Sequence, residues 1–237
     1  MLTGFSKCRA MVQVNRAAVS VRRMRDRLRG ATFEICGAVV RSAWQRLCWW
    51  GAIGPRSRAG RRFGRFGSNS IICFPANTIL NEGYIHIGEG TMIGPQVTLS
   101  AGMMPGQRLL TDSVVRIGDR CLIGKGSGIV GHLSIDIGND VWTGHHVYIT
   151  DQNHGYEDIT RPIAQQIMPE QAVVIGDGSW LGFGTVVLPG ARIGRHVTVG
   201  ANSVVTGELP DFCVAAGAPA AVIRRYVDGQ GWVRAEH

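Results

Sequence analysis

The feature that most constrains this chain is a six-residue period. Ile175, Leu181, Val187, Ile193, Val199 and Val205 stand six apart without a gap. Four residues after each stands Ser179, Thr185, Ala191, Val197, Ser203 or Leu209, mostly small. Glycine often follows the aliphatic, as at Gly176, Gly182, Gly194 and Gly200. The same spacing recurs in Ile87, Ile93, Leu99, in Ile117, Ile123, Ile129, Ile135, and in Ile137, Thr143, Ile149. A period of six suits neither an amphipathic helix nor a hairpin meander. It suits a triangular solenoid in which each hexapeptide supplies one short strand and one corner. The aliphatic points inward, and Gly, Asn or Asp takes corner dihedrals that other residues resist. Eighteen residues make one coil, and each coil buries its neighbour's face. The 33 glycines are spaced as turn residues, not clustered as a linker.

Two stretches break the period. Residues 100–114 carry Met-Pro-Gly, and residues 151–172 carry charges, two prolines and the single His154. Loops ejected from a regular solenoid are where specific chemistry is expected.

Charge divides the chain unevenly. Residues 1–66 carry a net +13 and residues 67–237 a net −5. A uniformly basic nucleic-acid binder would not split this way, so no nucleic-acid partner is expected. Residues 1–66 read as a basic, helical segment, 67–222 as the solenoid and 223–237 as a C-terminal tail. Within the basic segment, Glu34, Arg41 and Gln45 fall on one side of a helix, with Phe33, Cys36, Val40, Trp44 and Leu47 over much of the rest. That amphipathic pattern fits packing on protein or peripheral contact with an anionic membrane; its charges argue against a spanning helix. The six cysteines are scattered without a CxxC pair, which suits a reducing cytosol. No unbroken apolar run marks a secretory signal, so a cytoplasmic location is expected, with peripheral placement at the inner membrane face as an option. Gly124-Lys125-Gly126-Ser127 lacks phosphate-loop spacing and lies in phase with the repeat.

Residues 67–222 resemble the hexapeptide-repeat acyltransferases. The resemblance implies a left-handed parallel β-helix, a homotrimer with active sites between subunits, and acetyl-CoA as co-substrate without a metal. Thr143–Tyr156 reads TGHHVYITDQNHGY. It is similar to the galactoside and maltose O-acetyltransferase branch, in which a catalytic histidine ends this coil; His154 aligns there without a gap. DQNHGYED also resembles the DHNHG-type motif of polysaccharide and colanic-acid acetyltransferases, with Gln152 where that motif has its first histidine. The resemblance therefore implies a sugar-hydroxyl acceptor in a polysaccharide or glycolipid, with His154 as general base. It also implies a backbone oxyanion donor at Phe183 in Trp180-Leu181-Gly182-Phe183, and CoA contacts at Gly182, Ala201 and Arg224 near the closing Ala215-Ala216-Gly217-Ala218-Pro219 run. A second arginine of the galactoside branch is Ala221 here, and Arg225 could substitute. His132 stands where that branch has an acidic acceptor-binding residue, and His145 and His146 read as structural. The alternatives are a non-enzymatic β-helix scaffold and a zinc enzyme resembling γ-carbonic anhydrases. In the latter, His132, His146 and His154 would be ligands at a spacing that does not match.

Overall fold

The computed structural model describes residues 33–166 and 169–235. These fall into two units divided between Trp50 and Gly51. In the first unit, the described residues from 33 onward are helical. Its large apolar side chains, including Phe33, Val40, Trp44, Leu47 and Trp50, are exposed. Among the described residues, no helix is long and apolar enough to cross a membrane.

The second unit is a three-walled prism of parallel strands. The first wall stacks Arg65–Phe66, Ile85–Ile87, Val115–Ile117, Ile135–Ile137, Val173–Ile175, Arg192–Ile193 and Glu208–Leu209. The second stacks Ile71–Ile72, Met92–Ile93, Leu122–Ile123, Trp142–Thr143, Trp180–Leu181, Thr198–Val199 and Cys213–Ala216. The third stacks Ile79–Leu80, Thr98–Ala101, Gly128–Gly131, Tyr148–Thr150, Val186–Val187 and Val204–Val205. The chain visits the walls in that order, once per coil. The inward aliphatics that set the period are fully buried, from Ile85 and Ile87 to Val199 and Val205. Parallel pairing and a continuous buried core are what the hexapeptide pattern predicts, and the fold is a hexapeptide-repeat parallel β-helix.

Pairing register measures each ejection. Val174 pairs with Arg192, 18 residues on, as a plain coil requires. Ile85 pairs with Val115, 30 residues on, and Ile135 with Val173, 38 on. The excess residues are the two period-breaking stretches, and both leave at the corner joining the third wall to the first.

The three outer surfaces differ in chemistry. The first wall presents a register-matched row of Arg65, His86, Arg116, Asp136, Val174, Arg192 and Glu208. The second presents Ile71, Met92, Leu122, Trp142 and Trp180 in one row, with Trp142 55% and Trp180 46% exposed. The third presents Thr98, Gly128, Tyr148, Val186 and Val204. The segment expected to be a C-terminal tail carries two antiparallel strands, Ala221–Val227 and Gly231–Arg234, that extend the second wall beyond Cys213–Ala216.

Candidate functional site: an open amide edge and an anchored histidine loop

The corners expose backbone amides, and two of the three corners treat them oppositely. Where the first wall turns into the second, the amide after the corner glycine is capped from the next coil at four corners, the exception among these coils being Asp177 after Gly176, which faces Arg195. Glu89 N–H donates to Asp119 Oδ1 at 2.7 Å, Asp119 to Asn139 Oδ1 at 2.9 Å, Asn139 to Asp177 Oδ1 at 2.7 Å and Arg195 to Asp211 Oδ1 at 2.8 Å. Where the second wall turns into the third, the equivalent residues are Lys125, His145, Phe183 and Ala201. None of their N–H groups meets an acceptor among the described residues. The Asx side chains that cap one edge are replaced on the other by side chains that cannot accept so. The result is a line of free donors along the coil axis.

Gly182 has a separate reason to be glycine. A Cβ there would lie 2.6 Å from the Ala201 nitrogen of the next coil, too close for any side chain. Gly144 is held the same way, 2.6 Å from the Phe183 nitrogen. Close stacking keeps this edge thin and its amides accessible. Gly182, Phe183 and Ala201 therefore share one edge on consecutive coils. Beside them His146, in the left-handed region at φ 58°, sets its ring edge-on to Phe183 at 5.6 Å.

His154 leaves the prism at the third corner, where the third wall gives way to the first. Its loop is anchored at its root by Asp151, which is fully buried. The Asp151 carboxylate accepts N–H bonds from His132 at 2.8 Å, Leu133 at 2.8 Å and Ser134 at 2.7 Å. The loop's return end meets it as well, since Gln171 N–H donates to the Asp151 carbonyl at 2.9 Å. Glu170 faces His132 Nδ1 at 3.4 Å, and the His132 side chain is 8% exposed. Within the loop Gln166 is buried. Its amide nitrogen donates to the carbonyls of Asp158 (2.8 Å) and Arg161 (3.0 Å), and its Oε1 accepts from Asp158 N–H at 3.0 Å. His154 itself is exposed, and its N–H donates to Asn153 Oδ1 at 2.9 Å. A Thr160 hydrogen-bond pair on the Asp158 carboxylate holds that acid below the usual carboxylate range.

The two halves of the expected site thus stand at different corners of one chain. The third wall lies between them, one hexapeptide wide, or at most roughly 20 Å at about 3.3 Å per residue. Arg224 lies apart from both. It pairs in register with Val214 and Arg234 on the extended second wall and is exposed. Sequence reasoning did not single out Asp151, Gln166 or Glu170 as anchors. Asp151 caps amides 17 to 19 residues back in the chain, so its role carries no local sequence signal. Among the described residues, no cluster of three or more His, Cys, Asp or Glu side chains is placed to hold a metal ion. His132, His146 and His154 go to Glu170, Phe183 and solvent respectively.

Comparisons with known proteins agree with this fold. Residues 172–207 match the family described as bacterial transferase hexapeptide (six repeats), and residues 114–150 match the hexapeptide repeat of succinyl-transferase. The chain is 37% identical over 163 residues to the "Putative lipopolysaccharide biosynthesis O-acetyl transferase WbbJ" of Escherichia coli K12, covering 66% of this chain and 79% of that protein. It is 35% identical over 140 residues to the "Probable acetyltransferase Rv3034c" of Mycobacterium tuberculosis H37Rv. That match covers 59% of this chain and 44% of the relative's length. AntD, an N-acyltransferase from Bacillus cereus solved with dTDP and 3-hydroxybutyryl-CoA, shares the fold at TM-score 0.59 and 22% identity, covering 70% of this chain and 84% of that one. The chain belongs to the hexapeptide-repeat acyltransferase family.

Proposed function

We propose that this protein is an acetyl-CoA-dependent O-acetyltransferase that acetylates a sugar hydroxyl in a polysaccharide or glycolipid. The observation that carries the reading is the pairing of an open amide edge with an anchored histidine loop, in a chain so similar to an O-acetyltransferase. The edge suits the pantetheine arm of CoA, whose amides need main-chain partners and whose slim chain needs small residues such as Gly182 and Ala201. Arg224 would take a CoA phosphate from the extended second wall.

In the proposed reaction, His154 removes the proton of the acceptor hydroxyl as its oxygen attacks the thioester carbonyl carbon. The tetrahedral oxyanion is stabilised by the Phe183 N–H, a donor worth of order 3 kcal/mol in such sites. The carbon–sulfur bond then breaks, the His154 proton passes to the departing CoA sulfur, and the ester and free CoA thiol leave.

The separation of His154 from Phe183 by the third wall supports a homotrimer in which one chain's histidine meets its neighbour's amide edge. The apolar row from Ile71 to Trp180 is the face we assign to subunit contact, because the charged first wall is already suited to water. In this reading residues 67–222 carry the chemistry. The basic segment 1–66 attaches the enzyme peripherally to the anionic inner face of a membrane, through the apolar side of the helix and its arginines. Deletion of residues 1–50, which leaves the second unit whole, should then abolish sedimentation with vesicles of anionic phospholipid and spare activity on a soluble acceptor.

Thiol release from acetyl-CoA over a panel of sugars tests the activity, with wild type beside His154→Ala. Turnover that requires both a sugar and His154 is expected. Sugar-dependent turnover unchanged in His154→Ala would remove the histidine from the chemistry, and failure to bind CoA would overturn the class of reaction.

A further inference from the structure

An aromatic groove lies at the far end of the prism, on the corner that joins the first wall to the second. It is not on the amide edge. It has a volume of about 430 Å³ and is lined by His196, Phe212, Tyr226, Asp228 and Trp232. That volume falls near the low end of small-ligand sites, about 300–1,000 Å³. One side comes from successive corner residues, His196 and Phe212, both in the left-handed region at φ 55° and 54°. The other comes from the C-terminal hairpin, where Tyr226 and Trp232 are register partners. The Tyr226 N–H donates to the Phe212 carbonyl at 2.9 Å, tying the hairpin to the corner.

Three properties narrow the occupant. First, none of the measured ring pairs is parallel. His196 and Phe212 are tilted by 41° at 5.9 Å, and Tyr226 and Trp232 meet edge-to-face at 72° and 5.7 Å. Neither side of the groove is therefore a flat two-ring platform for a planar base. Second, the lining holds a carboxylate and no free cation. The neighbouring Arg195 is already committed: it makes a two-pronged bond to Asp211 at 2.9 and 3.0 Å and lies 5.8 Å over the Phe212 ring. Asp228 is the fixed charge of the lining itself, and it repels a phosphate placed inside the groove. Third, rings with polar tips beside a carboxylate and an imidazole match a puckered, neutral polyol. Its C–H faces bury on aromatic carbon while its hydroxyls donate to Asp228 and exchange hydrogen bonds with His196.

We propose that this groove is a sugar-binding subsite that holds a neutral hexopyranose unit of the acceptor away from the reacting hydroxyl. The proposal rests on the acceptor being a saccharide, and it adds a second place where the acceptor is held. Rise along the prism is about 4.8 Å per coil. The groove lies two to three coils beyond the root of the His154 loop, a distance that favours an extended acceptor over a monosaccharide.

The test uses the full chain and saturation-transfer NMR, with methyl glucoside, methyl galactoside, methyl mannoside and maltopentaose as probes. At least one probe should receive saturation on its ring C–H protons. The Trp232→Ala variant should weaken its binding about tenfold, Trp232→Phe should restore most of it, and Asp228→Asn should weaken it without touching an aromatic ring. CoA binding should be the same in all three variants, which also reports that they are folded. Absence of saturation on every probe overturns the proposal, as does binding that ignores both Trp232→Ala and Asp228→Asn. Loss of CoA affinity in Trp232→Ala would give the groove to CoA instead and overturn it too. His154→Ala should bind the probe as wild type does. Sugar binding without acetyl transfer would therefore sink the proposed reaction and leave the subsite standing.

Discussion

Asp151 is the residue whose removal best tests how the histidine loop is held. Its carboxylate is fully buried and accepts three N–H bonds at 2.7–2.8 Å from the turn 132–134. Hydrogen bonds to a charged acceptor contribute about 1.5–3 kcal/mol each, so the nominal sum of the three is roughly 4.5–9 kcal/mol. His132, Leu133 and Ser134 are only partly buried. Water entering the vacated space would recover part of that sum, which leaves about 3–4 kcal/mol for Asp151→Ala. For a chain of this size each kcal/mol shifts the melting midpoint by about 2–4 °C, so a fall of about 6–16 °C is expected by calorimetry. Asp151→Asn should fall between the two, because one amide oxygen still accepts while its NH₂ faces an N–H donor. The loop's return also hangs on the Asp151 carbonyl through Gln171. Loosening the root should therefore lower kcat in the thiol-release assay while leaving the KM for acetyl-CoA near wild type. A melting midpoint of Asp151→Ala within 2 °C of wild type would refute the assignment of three strong bonds. A raised KM for acetyl-CoA with kcat intact would refute the link to the histidine loop.

Gly182→Ala should lower the melting midpoint and raise the KM for acetyl-CoA together, since the new Cβ would sit 2.6 Å from the Ala201 nitrogen and force the amide edge apart; an unchanged KM would detach that edge from CoA. Paired Trp142→Glu and Trp180→Glu changes should shift sedimentation from trimer to monomer and abolish turnover; a persistent trimer would move the contact to another wall. His86 is held below the ordinary histidine value of 6.5, first by burial and then by Arg116 and Arg65. Its neutral form is therefore favoured in the fold, and as pH falls through about 6.5 the unfolded chain takes up the proton first. Stability should decline from pH 7 toward pH 5.5, and urea titrations of His86→Gln should show a shallower decline.

The walls of the prism were legible because their cause is local and repeated. Each inward aliphatic stands six residues from the next, and only a closed coil buries all of them. The contrast between the two amide edges was legible in principle too. Asp119, Asn139, Asp177 and Asp211 recur at one corner, while Lys125, His145, Phe183 and Ala201 recur at the other. The interior of the histidine loop was not legible. Gln166 binds carbonyls five and eight residues back, and Asp151 caps amides 17 to 19 residues back, so no short pattern announces either. The C-terminal hairpin is a different kind of miss. Asp228-Gly229 between Val227 and Trp232 is a common hairpin-turn signal, but it falls where the hexapeptide period has ended.

A prism of this kind is rigid, and rigidity decides how it can catalyse. It has no domain to close over a substrate, so it cannot exclude water by motion of its own walls. The groups we propose as reactive, His154 and the Phe183 N–H, stand at corners at most roughly 20 Å apart, set by the length of a hexapeptide. Both constraints are relieved by one step, the approach of a second copy. A neighbour's amide edge set against the root of the histidine loop would join the two half-sites and line the gap with main-chain donors. The surfaces are consistent with that step. The wall suited to water carries arginines and acids, and the wall with a row of five large apolar side chains has no partner within its own unit's prism. In this reading the apolar row and the split site are one feature: the chain that cannot complete its site alone also presents the surface that brings in the remainder.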